Sequence, residues 1–243
     1  MTNAIMLNNV MHKDLRVRTG YSAEFGDNIN MAMVFPPEYV FVQREYPILF
    51  RKGSEGNFQA FALLGLNQRE NLFLDESGWN ARYVPAIQQR GPFLIGLHEE
   101  SDESVNRGPM VHVNLDSPRL SETEGEPVFL PHGGNSPYLD HANRMLQIIH
   151  EGAEVEKPMF AAFEEAGLIE EMEVKISLDD NTQYKLPDFL TINQDRLAAL
   201  DSASLERLNR QGFLQLAVFV ANSLGNIEWL IDLKNRRLAT GKA

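Results

Sequence analysis

The stretch that decides the fold is Ser136–His150, SPYLDHANRMLQIIH, because the chain changes its hydrophobic period there. Ser136 can cap a helix whose first position is Pro137, where a missing N–H costs nothing. Tyr138, Ala142, Met145 and Ile149 then fall on one helical stripe, with Leu139 and Leu146 widening it. The pattern resumes at Met159, Phe160 and Phe163 and stops at Gly167, a C-terminal cap. Pro158 lies between the two patterns and predicts a kink or a split.

Before this stretch the chain is written in strands and turns. Met31, Met33 and Phe35 alternate with Ala32 and Val34 ahead of Pro36-Pro37. Val40 to Val42 and Ile48 to Phe50 are short apolar runs that read as strands. Phe58 to Leu66 is apolar on both faces and predicts a central strand. NLFLDESGW (71–79) predicts a hairpin turning at Asp75 to Gly78. Further strands are expected at Phe93 to Leu97 and Met110 to Leu115, and Val84-Pro85 precedes a helix start.

After it, Met172, Val174, Ile176 and Leu178 alternate with Glu171, Glu173, Lys175 and Ser177, so a half-buried strand turns at DDNT (179–182) into Gln183 to Leu186. Asp201 or Ser202 opens another helix, and Phe213 to Arg237 reads as a long one that Gly225 interrupts. The fold class is therefore α+β, a mostly antiparallel β-rich N-terminal half packed against a helical C-terminal half with one β-hairpin. The expected organisation is an N-terminal extension over 1–30, a β-rich region over 31–132 and a mainly helical region over 133–243, integrated as one domain.

Composition narrows the function classes. A formal net charge of -12 opposes nucleic-acid binding, which needs clustered Lys and Arg to displace counterions. It equally opposes docking on an anionic membrane. With no cysteine there is neither a disulfide framework nor a thiolate nucleophile. The first twenty residues lack the uninterrupted apolar core of a secretory signal, and the most apolar run, Phe213 to Ala221, is far shorter than a membrane span. A cytoplasmic protein without membrane insertion is expected.

Candidate chemistry is spread along the chain. His98 and Glu100, with His112, His132, His141 or His150 as a distant partner, are candidates for a metal site, set against a solvated acidic loop. No metal is favoured and no cofactor is predicted, since the glycines form neither a P-loop nor a dinucleotide fingerprint. In WNARYVPAIQQRGPF (79–93), Trp79, Tyr83 and Arg90 can line a pocket or pack a core. In NLDSPRLSETEGEPVF (114–129), Asp116, Glu122 and Glu126 surround Arg119. Glu122 and Glu126 are an acid/base pair only if their environments separate their pKa values. The simpler expectation is an ordered loop in which Arg119 neutralises part of the charge.

The succession QREYPILFRK, FALLGLNQRENLFLDESGW, RYVPAIQQRGPF, DSPRLSETEGEPVF and SPYLDHANRMLQ resembles the SapC family of bacterial proteins, from about Phe35 to near the C-terminus. The resemblance makes Tyr83–Ala86 and Asp116–Pro127 its characteristic pieces and implies no catalytic assignment. It implies an accessory role beside TonB-dependent receptors and tryptophan-halogenase-like proteins, with a family name taken from surface-layer systems. The leading expectation is a non-catalytic protein that binds a small molecule, peptide or partner protein through its β-rich half, in a cell-envelope or nutrient-uptake system. The alternatives are a metal-dependent oxygenase or hydrolase with a His/carboxylate site, and a structural or assembly protein. The balance is against an enzyme.

Overall fold

Ser136 Oγ accepts a hydrogen bond from the Leu139 N–H at 3.1 Å, and the helix it caps runs over Pro137–Glu165. The computed structural model describes residues 3–53, 56–96, 110–178 and 182–241. Of the kink or split predicted at Pro158, no split occurs: the residue sits, exposed, inside the 29-residue element. Gly167, at φ +64°, closes the helix: its N–H bonds to Glu164 O and the Leu168 N–H to Phe163 O. These are the two hydrogen bonds of a Schellman cap.

The class is α+β, as the period change predicts. Among the described residues all strand pairings are antiparallel, and in the second half Ile169–Ser177 pairs with Gln183–Ile192. The chain forms two compact units interleaved in sequence, Met1–Asp27 with Ala86–His150, and Asn28–Pro85 with Glu151–Ala243.

In the first unit, Ala4–Met6, Met110–Asn114 and Phe93–Gly96 make a three-stranded sheet with Met110–Asn114 in the middle. Val113 stands opposite both Ile5 and Phe93. A smaller sheet places Arg16–Val17 between Leu120–Ser121 and Glu126–Pro127. Pro127 lacks an N–H to donate and occupies an edge strand, where that omission is tolerated. Val17, Phe93, Val113 and Val128 pack with Leu139, Ala142 and Leu146 of the helix, and Tyr138 packs against them, so these four residues of the predicted stripe face this unit's core.

The second unit is built on a five-stranded sheet in the spatial order Ile169–Ser177, Gln183–Ile192, Ile48–Lys52, Phe58–Leu63, Met31–Met33. Phe58–Leu63 is paired on both sides, as its two-faced apolarity predicts. The expected strand at Val40–Val42 is instead helical: a 3₁₀ turn over Pro36–Glu38 runs into a short helix over Tyr39–Val42. Two prolines preset the first turn, and Glu38 Oε1 takes the Phe35 N–H at 2.8 Å, which starts a helix where β-branched residues favour a strand.

Asp201 caps the helix Ser202–Arg210 by accepting from the Ser204 N–H at 2.7 Å. The helices Phe213–Ser223 and Asn226–Ala239 follow, broken at Leu224-Gly225. Together Phe213–Ala239 is long and apolar enough to cross a membrane by length and composition only, a longer segment than the run Phe213 to Ala221 singled out in the sequence. Two of its buried polar groups are engaged within the second unit. Ser223 Oγ accepts from the Ile48 N–H at 2.8 Å, and Lys234 forms a buried ion pair with Glu70 at 2.6 Å.

Candidate functional site

Arg119 is 7% exposed, and its partner is not one of the carboxylates of its own loop. Its Nη2 donates to both oxygens of Asp27, at 2.6 and 2.9 Å, and Asp27 is 4% exposed. Nη1 donates to the carbonyls of Gly20 and Arg18. The guanidinium lies 4.7 Å from the Phe25 ring centroid and 5.4 Å from that of Tyr21. One side chain thus clamps the segment from Arg18 to Asp27, through charge, backbone carbonyls and two aromatic faces at once.

Local sequence explains how the loop presents it. Ser117 Oγ accepts from the Arg119 N–H, and Ser121 Oγ from the N–H groups of Thr123 and Glu124, so serines set both bends. Gly125 has φ +91°, and a Cβ there would lie 2.2 Å from Val17 O. Only glycine permits that approach. Asp116 accepts from the Asn3 N–H at 3.2 Å, while Glu122 and Glu126 are exposed on the outer part of the loop. The expectation that Arg119 neutralises these loop acids is corrected: its charge is spent on Asp27, 92 residues upstream.

Beside this clamp is a cavity of about 360 Å³. Thr19 and Tyr21 line it from the N-terminal segment, Gln88, Gln89 and Gly91 from the short helix Ala86–Gln89 and its exit, and Arg119, Tyr138 and His141 complete it. Burial pushes the Tyr21 phenol up, with the Arg119 charge pulling the other way. The Tyr138 phenol is pushed up to about 12 by burial, again opposed by Arg119. Both hydroxyls keep their protons at neutral pH. Burial, helped by Arg144, holds His141 below its ordinary value, so the ring is neutral there. His141 Nε2 lies 3.0 Å from Gln89 Oε1, and since an amide oxygen only accepts, the ring donates from Nε2.

Gln88 Oε1 is buried with no hydrogen-bond partner. An acceptor left without a donor costs about 1–3 kcal/mol, so this oxygen lies behind the cavity wall at a cost to stability. Gly91, at φ +60°, lets the Tyr138 hydroxyl approach: a Cβ there would fall 2.5 Å from that oxygen. The cavity therefore presents preplaced donors and acceptors and no uncompensated charge.

The other sequence candidates have structural partners. Arg90 donates from Nη1 to the carbonyl of Phe93, and burial lowers its pKa. In the second unit, Trp79 Nε1 donates to Tyr46 Oη at 2.9 Å, Tyr46 donates to Tyr83 O at 2.6 Å, and Tyr83 donates to Glu38 Oε2 at 2.9 Å. Glu38 is 1% exposed, and burial with the Glu38 charge raises the Tyr83 pKa far above its usual value. These bonds join the turn at Glu38 to the Tyr83–Ala86 motif.

His112 lies in the strand Met110–Asn114 with its ring over Gly96, where a Cβ would clash with it. His98 and Glu100 lie outside the described residues. Among the described residues, no three His, Asp or Glu side chains gather to hold a metal ion.

Sequence reasoning missed Asp27, Tyr21, Gln88, Tyr138 and His141 as neighbours of Arg119. The available signals were the paired glutamines of YVPAIQQRGP and the polar tip of Tyr138 on an otherwise apolar stripe.

An α+β protein of antiparallel sheets, with a looped motif locked by a buried Arg–Asp pair, is the class that fold and site define. The family model described as SapC matches residues 7–230, and the chain belongs to the SapC family. No curated protein and no solved structure matches it.

Proposed function

We propose that this SapC-family chain is a non-catalytic binding protein that holds a small polar molecule in the Arg119 cavity. It acts as a cytoplasmic accessory component of a bacterial cell-envelope or nutrient-uptake system, beside partners of the TonB-dependent receptor or tryptophan-halogenase-like kinds. The observation that carries the binding role is a cavity of about 360 Å³ lined by the polar side chains of Thr19, Gln89, Arg119, Tyr138 and His141. Preplaced polar groups in a concavity are the mark of a ligand site, because they fix orientation without a reorganisation cost. Catalysis has less support: the cavity holds two protonated phenols, a neutral imidazole and a neutralised guanidinium, and no pair of groups with separated acid and base roles.

The test is a thermal-shift screen of small metabolites on the wild type and on Thr19→Trp, which places a bulky ring at an exposed rim position of the cavity. A ligand at a hundred times its Kd stabilises the folded state by about 2.7 kcal/mol. At least one compound should raise the melting temperature of the wild type and not of Thr19→Trp. Turnover of a compound that binds there, or equal shifts in both proteins, would overturn the reading.

A further inference from the structure

In the first unit, the turn after the strand Ala4–Met6 holds two apolar side chains out in water. Asn8 Oδ1 accepts from the Val10 and Met11 N–H groups at 2.8 and 3.2 Å, and the Asn8 N–H donates to His12 Nδ1 at 2.9 Å. The turn is thus fixed by its own polar groups, yet Val10 is 75% and Met11 77% exposed, the highest values for large apolar side chains among the described residues. The residues that lead into this tip, Asn8 and Asn9, also line a second cavity of about 360 Å³, together with the apolar side chains of Met110, Phe129 and Leu139. Met6, in the cavity lining, and Leu130, next to Phe129, are exposed as well. Knob and hole therefore lie side by side on one apolar face.

Charge selects the occupant. Among the described residues no charged side chain lines this cavity, in a chain whose net charge is -12. A second copy carries the same charge, so it meets least repulsion at this face. The edges add an opposite pair. Asp140 is exposed and accepts from Nδ2 of the lining residue Asn135 at 3.0 Å, while Lys13, just past the tip, has only a solvent-exposed contact with Asp14 at 3.8 Å. An unbranched methionine fits an irregular apolar gap. We propose that this face is a self-association surface: in a twofold dimer the Val10-Met11 tip of each copy enters the cavity of the other, with Lys13 against Asp140 of the partner subunit. One twofold rotation fills both cavities and leaves no open end. The surface shares no lining residue with the Arg119 cavity, so it stands apart from ligand binding there.

The experiment is sedimentation of the full chain from micromolar to submillimolar concentration, where the wild type should show dimer. Met11→Asp should raise the dissociation constant at least about a hundredfold, because a buried methionine side chain contributes about tenfold or more and the twofold axis counts each loss twice. Its far-UV circular dichroism should match the wild type, since the side chain is exposed in the single chain. Lys13→Glu and Asp140→Lys should each weaken association several-fold, and the two together should restore it, because the pair is then reversed rather than broken. A wild type that stays monomeric throughout would overturn the inference and leave the face to a different protein. A dimer that Met11→Asp does not weaken, or a double reversal that weakens it further, would overturn it equally.

Discussion

The Arg119–Asp27 pair can be dissected energetically. Both side chains are at least nine-tenths buried, and the guanidinium reaches both carboxylate oxygens. Truncating one partner of such a pair leaves the other charge desolvated and costs about 3–5 kcal/mol, whereas replacing both with apolar groups of similar volume costs far less. Arg119→Met also gives up the bonds to the Gly20 and Arg18 carbonyls, and Asp27→Leu loses the acceptor of the Ser22 N–H at 2.9 Å. Those side losses add about 1 kcal/mol each and appear equally in the double variant.

The double-mutant cycle cancels them. Each single variant should lose about 4 kcal/mol or more, and the double should recover a coupling of at least about 2 kcal/mol, because no unpaired charge remains buried. Urea unfolding followed by far-UV circular dichroism measures all four proteins. Single losses that simply add, with coupling below about 0.5 kcal/mol, would refute the picture of a desolvated pair holding Arg18 to Asp27 against the loop.

Glu156 gives a pH prediction. Burial raises its carboxyl from the usual 4.5 to about 7, and its Oε1 and the Tyr39 hydroxyl are both buried without a hydrogen-bond partner. A raised folded-state pKa contributes stability that is full below the unfolded value and is lost as pH rises through 7. At 1.36 kcal/mol per pKa step the ceiling is about 3 kcal/mol, and partial exposure reduces it to about 1–2 kcal/mol. Glu156→Gln should therefore lose less stability than the wild type between pH 5 and pH 8.5; identical urea midpoints at each pH in the two proteins would contradict this. Gly125→Ala should lower stability by about 2 kcal/mol or more, because it combines a positive φ with a Cβ 2.2 Å from Val17 O. A thermal melt unchanged within about 0.5 kcal/mol would count against that close approach.

How much of this was legible follows from the range of the interactions. The helix from Pro137, its Ser136 cap, the Gly167 stop and the strand over Met172 to Ile176 follow from local patterns, and the structure carries each. Phe58–Leu63 was readable as a strand paired on both sides because a strand covered on both faces is apolar on both. Tyr39–Val42 was misread because two prolines and one Glu38 hydrogen bond outweigh the strand preference of a valine-rich run. Of the kink or split predicted at Pro158, the split does not occur, and the residues that follow it, Met159, Phe160 and Phe163, are buried.

The site was legible only in part. Arg119 stood out by its motif, but its partner lies 92 residues away, and nothing in the spacing of Asp27 announces it. Local counting assigned Arg119 to nearby acids that remain in water. Trp79 and Tyr83 were picked for their amphipathic rings, which serve the Glu38 network in the second unit. Gln88 has no sequence signature beyond its neighbour Gln89, since an unpaired amide oxygen is a property of packing.

The most direct test of the central claim is equilibrium dialysis of the wild type and Thr19→Trp against a bacterial metabolite extract, read by mass spectrometry. The wild type should concentrate a small polar molecule, and Thr19→Trp should not. Equal retention by the two proteins, or retention of no small molecule by either, would contradict it.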